Sequence, residues 1–186
     1  MVLDAMNRLI AALVFGIFVF SFGYAQQHEG ARYKGFVAFE YKIGNDGVYG
    51  GNGVYNLKRN ARGVSLMTSH GSQINQFVYL GAGFCVDRYT LDNFGRVIAF
   101  PLFVHFRANM NKNRVSPFFD LKTGYSPFDL VGFYLSPNFG IRFGVGKRVG
   151  IDVQVGVALQ GYKIYSNRLV ENAYIKGLNI SLGLDF

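Results

Sequence analysis

Ala173-Tyr174-Ile175-Lys176-Gly177-Leu178-Asn179-Ile180-Ser181-Leu182-Gly183-Leu184-Asp185-Phe186 ends the sequence and decides how the rest of it is read. In an extended chain, alternate side chains face opposite sides. Tyr174, Lys176, Leu178, Ile180, Leu182, Leu184 and Phe186 then share one face, and Ile175, Gly177, Asn179, Ser181, Gly183 and Asp185 the other. One face is nearly all apolar; the other is small or polar. A soluble domain rarely places a terminal carboxylate on a strand that is greasy along one side. A strand with lipid outside and a polar lumen inside accounts for both features, so the stretch is expected to close a membrane barrel.

Working outward, 186 residues suit one domain with a self-contained fold. Apolar residues make up 50% and aromatics 17%, with 24 glycines and 4 prolines, a mixture that favours short strands and turns over helices. The net charge of +8 favours anionic partners such as phosphate-bearing lipid or nucleic acid. Cys85 is the only cysteine, which excludes an internal disulfide and a cysteine-based zinc site.

At the other end, Met1 to Arg8 is short and polar, Leu9 to Phe22 is uncharged and apolar, and Gly23-Tyr24-Ala25 follows. That layout is the one of a secretory signal peptide, with cleavage expected after Ala25. Residues 1–25 are therefore read as signal peptide, 26–32 as an N-terminal lead-in and 33–186 as the barrel.

Seven further segments alternate with period two. They are Tyr33 to Ile43, Arg62 to His70, Phe77 to Asp87, Val97 to Met110, Val115 to Tyr125, Gly132 to Val145, and the run Ile151, Val153, Val155, Val157, Leu159. With the terminal stretch they make eight strands of ~10 residues, the length that a tilted membrane strand needs. The connections alternate in length: Gly44–Ala61, Arg88–Arg96 and Lys163–Asn172 are the longer ones, Gly71–Gln76, Asn111–Arg114 and Gly146–Val149 the shorter, with Ser126–Val131 middling. Long outer loops and short periplasmic turns would give that alternation, and an even strand count puts both termini at one end. A secreted soluble barrel would show polar side chains outside; here Arg, Lys, Asp and many glycines lie on the face opposite the apolar one. The expected fold is all-β, an eight-stranded antiparallel up-and-down transmembrane barrel.

Several phrases, Lys34-Gly35-Phe36-Val37, Ser69-His70-Gly71-Ser72-Gln73-Ile74-Asn75, Leu80-Gly81-Ala82-Gly83-Phe84, Pro101-Leu102-Phe103, Phe119-Asp120-Leu121-Lys122-Thr123-Gly124-Tyr125-Ser126 and Ser136-Pro137-Asn138-Phe139-Gly140, resemble the porin-like family of small, eight-stranded, OmpA/OmpX-type outer-membrane β-barrels. The resemblance runs from about Tyr33 to Phe186 and implies location in the cell outer membrane. The last strand also resembles the signal read by the barrel-insertion machinery, carried here by Asn179, Leu184 and Phe186, with Ser181 where glycine is usual.

Chemistry is sparse. Ser69-His70 has no evident orienting carboxylate, His28 belongs to the lead-in, and Gly50-Gly51-Asn52-Gly53 lacks the Lys-Ser/Thr and helix of a phosphate loop. No catalytic residue, metal site or cofactor is expected, and no nucleic-acid groove. The inward charged set is Lys34, Glu40, Arg107, Asp120, Lys122, Arg142 and Asp152, with His105. An eight-stranded barrel has room only for side chains, so these groups are expected to pair and plug it. A tight turn at Asn111–Arg114 would set His105 opposite Asp120 with Arg107 diagonal, and the next would set Arg142 beside Asp152 or Gln154. The resulting expectation is a non-enzymatic, monomeric surface barrel, with outer-membrane lipid and lipopolysaccharide as partners of its basic loops. Its competitors are a narrow channel for small solutes and, more remotely, a lipid-modifying enzyme.

Overall fold

The structure, a computed structural model, describes residues 32–49, 59–91, 95–146, 148–166 and 169–186. The signal peptide, most of the lead-in with His28, and the Gly50-Gly51-Asn52-Gly53 tip lie outside the described residues.

Nine strands follow one another: β1 Arg32–Tyr49, β2 Arg59–Gln73, β3 Val78–Leu91, β4 Gly95–Ala99, β5 Leu102–Asn109, β6 Val115–Ser126, β7 Gly132–Gly144, β8 Gly150–Ser166 and β9 Leu169–Asp185. The pairing is antiparallel throughout; β9 pairs with β1, and β2 with β3, so the sheet closes on itself. Strands β4 and β5 are two halves of one stave. Both pair with β3, and the register runs unbroken across the gap, Asp87 opposite Ala99 and Phe84 opposite Leu102. Pro101 makes the gap because it has no N–H to give the ladder. The barrel thus has eight staves. The start of β1 and the end of β9 lie at the rim that carries the turns at residues 74–77 and 110–114.

The period-two pattern sorts the side chains as expected. Phe39, Leu66, Phe84, Val104, Phe139, Val155 and Leu182, one from each of seven strands, all face outward and are exposed by half or more. Soluble monomers rarely expose apolar patches above a few hundred Å². A belt on every side of a closed sheet has one fitting solvent, the hydrocarbon of a bilayer.

Three expectations about length are corrected. Strand β2 continues past His70 to Gln73, so Gly71 and Ser72 are ladder residues rather than turn. The first hairpin stays paired as far as Asp46 opposite Arg59. Lys163–Asn172 is no long loop: Lys163 pairs with Asn172, Ile164 with Glu171, Tyr165 with Val170 and Ser166 with Leu169. The alternating pattern weakens there because the ladder has left the lipid, and outward residues no longer need to be apolar.

Candidate functional site

Among the described residues, the lumen holds the buried polar and charged side chains. Starting at the turn end, Lys34 Nζ lies 2.6 Å from Asp185 Oδ2, and Arg142 Nε donates to both Asp185 oxygens at 2.9 Å. Asp185 is fully buried. Lys34 and Arg142 also line an open bowl of about 850 Å³, whose wall includes Arg32, Lys112, Arg148 and Phe186.

Above it, Arg107 Nη1 donates to Asp152 Oδ2 at 2.6 Å and Nη2 to Asp120 Oδ2 at 3.1 Å. The Arg107 guanidinium is sandwiched between the rings of Phe36 and Phe118, at 4.2 and 3.9 Å from their centroids. Arginine suits this site because its planar head is weakly hydrated and stacks on rings while its edge takes two carboxylates. His105 Nε2 bonds the other Asp120 oxygen, and its Nδ1 lies 2.7 Å from Ser69 Oγ, which in turn lies 2.8 Å from the Tyr79 hydroxyl.

The next layers repeat the theme. Lys122 Nζ reaches Glu40 Oε1 at 2.6 Å, and Lys42 Nζ reaches Asp87 Oδ2 at 2.7 Å and Glu40 Oε2 at 3.6 Å. Asp87 also accepts from Ser65 Oγ and from the Tyr89 hydroxyl. An apolar cluster of Ala38, Met67, Cys85, Phe103 and Tyr134 is buried as filler in the same lumen. Cys85 is simply part of that filler.

Lys34, Lys42, Arg107, Lys122 and Arg142 meet Glu40, Asp87, Asp120, Asp152 and Asp185: five cations and five carboxylates, so the stack is neutral with His105 uncharged. Toward the hairpin end it is covered by Ala61, Tyr89, Leu91, Ala99, Leu130 and Ile175. Leu130 arrives from the connection between β6 and β7, which folds inward. Asp129, at φ 52°, bridges to Ala99, and the Leu130 carbonyl accepts from Gln160 Nε2 at 3.1 Å. The break at Phe100–Pro101 frees the β4 edge for that bridge.

Two pairings differ from the sequence expectation. Arg107, not His105, stands directly opposite Asp120, while His105 faces Lys122. The turn holds two residues more than expected: Met110 N donates to Pro117 O at 2.8 Å, and Ser116 Oγ to Asn111 O at 2.9 Å. A two-residue shift keeps every side chain on its face, so His105 still reaches Asp120 diagonally. Arg142 does stand opposite Asp152, yet it bonds Asp185 instead, because Arg107 already holds Asp152. Sequence reasoning missed Lys42, Asp87 and the role of Asp185. All three stand on inward faces, but Lys42 meets Asp87 over the intervening β2 and Lys34 meets Asp185 across the β1–β9 seam, and turn arithmetic reaches only adjacent staves.

Ser69 and His70 point to opposite sides. Ser69 is buried in the lumen, where it completes a Ser69–His105–Asp120 chain of hydrogen bonds. Ser69, His105 and Asp120 are wholly buried and Tyr79 also holds Ser69, which leaves no place for a substrate carbonyl beside Oγ. His70 faces outward beside Tyr33 and Phe186. Among the described residues no group of three His, Cys, Asp or Glu could hold a metal. Of the residues expected to carry an insertion signal, Asn179 points inward and donates to Ser136 Oγ at 3.2 Å, while Leu184 and Phe186 are exposed on the outer face.

Neither a protein-family model nor a curated protein matches the sequence. Solved structures do match. Neisserial surface protein A (NspA) aligns with TM-score 0.52 and 19% identity over 84% of this chain and 98% of that one. The outer membrane protein OprG from Pseudomonas aeruginosa aligns with TM-score 0.48 and 8% identity over 84% and 94%. The closed sheet, its eight staves and the likeness to NspA together show that the chain has the fold of the small eight-stranded outer-membrane β-barrels.

Proposed function

We propose that this protein is a non-enzymatic outer-membrane barrel with a closed lumen, which serves as a rigid stem for the hairpins at the end opposite its short turns. The observation that carries the reading is the neutral stack of five paired cations and five carboxylates under an apolar cover. A water column would need those groups solvated apart, whereas here they consume one another's charge and fill the bore. In this reading the chain is exported by residues 1–25, cleaved after Ala25 and inserted as a monomer by machinery that reads the terminal strand. Its tall hairpins then stand in the lipopolysaccharide layer. Planar-bilayer recording tests the lumen. The wild type should give no steady openings, and frequent, stable openings would replace the stem with a channel. Asp120→Ala, which unties His105 and Arg107, should conduct more than wild type.

A further inference from the structure

The five cations and five carboxylates of the lumen balance, so they add nothing to the net charge of +8. Part of that excess is gathered on the outer face of β2, β3 and β4. Arg62 stands opposite Thr90, and Thr90 opposite Arg96, so two arginines flank one threonine in a single row. In the next row down, Arg88 stands between Val64 and Ile98. All three arginines and Thr90 are exposed. No ion pair joins any of the three to a described residue. Strands lie ~4.8 Å apart, so Arg62 and Arg96 start roughly 10 Å from each other, within converging reach of one tetrahedral anion.

Below the arginines the same face turns apolar. Val64 and Ile98 flank Arg88, and Leu66, Val86 and Phe84 continue the track toward the turn end, all exposed. Three guanidinium forks above an aliphatic track match an amphiphile with an anionic head and acyl chains. Arginine binds phosphate bidentately, which favours a phosphate head over a carboxylate or a diffuse charge.

We infer that Arg62, Arg88, Arg96 and Thr90 form a binding site for the phosphate head of a membrane lipid, whose chains lie along Val64, Val86, Ile98 and Leu66. The site rests on the membrane-barrel reading but not on a closed lumen. The test reconstitutes the barrel in nanodiscs of phosphatidylcholine containing a minority of phosphatidic acid, then measures which lipid stays with the protein after mild detergent extraction. Phosphatidic acid should be enriched at least about tenfold in the wild type, since a charge-assisted hydrogen bond alone is worth that factor. The Arg62→Gln/Arg88→Gln/Arg96→Gln variant should lose the enrichment. Lys163→Gln/Lys176→Gln, which removes two exposed cations from β8 and β9, should keep it. No enrichment in the wild type, or equal loss in the lysine variant, would overturn the site. Displacement by inorganic phosphate at comparable concentration would overturn its assignment to lipid. Lipid retention in nanodiscs senses neither conductance nor orientation, so a failure here leaves the closed stem standing, and a conducting wild type leaves this site standing.

Discussion

Gly35 and Phe186 join the two ends of the barrel wall. Gly35 N donates to Phe186 O at 2.8 Å, Phe186 N donates to Gly35 O at 3.0 Å, and the phenylalanine ring lies over the glycine. A Cβ on Gly35 would meet ring carbon Cε2 at 2.6 Å, so the absent side chain is the seat of the terminal aromatic.

That seat makes the two positions interdependent. Gly35→Val should displace the ring and reduce the fraction of barrel that closes, with overpacking costing ~1–3 kcal/mol. Phe186→Ala should also reduce closure, but the double variant should fold better than the sum of the two losses implies. The folded fraction is read as heat-modifiable mobility on a gel. Strict additivity would show that ring and glycine do not share one site.

Asp185 is the second partner at this seam. The structure gives it both Lys34 and Arg142, so Asp185→Asn should leave two cations at the lumen floor with no carboxylate. Breaking a buried pair costs ~3–5 kcal/mol, and the partial exposure of both cations places this case at the low end. Urea unfolding in detergent should show a lower midpoint, and a midpoint unchanged from wild type would show that neither cation depends on Asp185.

The hairpin from β8 to β9 makes a different test. Lys163 was expected to lie in a long outer loop, but its backbone is paired with Asn172 and the ladder continues to Ser166 and Leu169. A protease needs an extended, unpaired segment, so trypsin should cut after Lys163 slowly. Amides 163–166 should exchange with solvent more slowly than those at the turns. Rapid cleavage at Lys163 would mean the ladder ends at the bilayer.

Strand identity and facing were legible in the sequence because period two depends only on local alternation. Phe39, Glu40, Tyr41 and Lys42 could be sorted without knowing any neighbour. Partners were legible only across short turns, and there a turn two residues longer than expected moved Arg107 into the place given to His105. Contacts across the lumen, such as Lys122 with Glu40, join staves far apart in sequence and follow from closure, and Lys42 reaches Asp87 over the intervening β2. Leu130 was hidden for another reason. A connecting segment that folds inward has no periodic signature.

Glu40 and Lys122 allow pairing to be separated from mere filling of the bore. Their contact is 2.6 Å and both are wholly buried, with Lys42 a weaker second neighbour of Glu40 at 3.6 Å. Lys122→Met alone should lower stability by ~3–5 kcal/mol, because it leaves Glu40 without its nearer cation. The double variant Glu40→Leu/Lys122→Met removes both charges at similar volume and should regain most of that loss, as replacing a whole buried pair is often neutral. Unfolding midpoints of the four proteins in one detergent give the coupling directly. The double variant should also stay silent in bilayer recordings, since Leu and Met fill the bore as the pair did. A double variant less stable than either single would show that the lumen needs these charges for more than their mutual attraction.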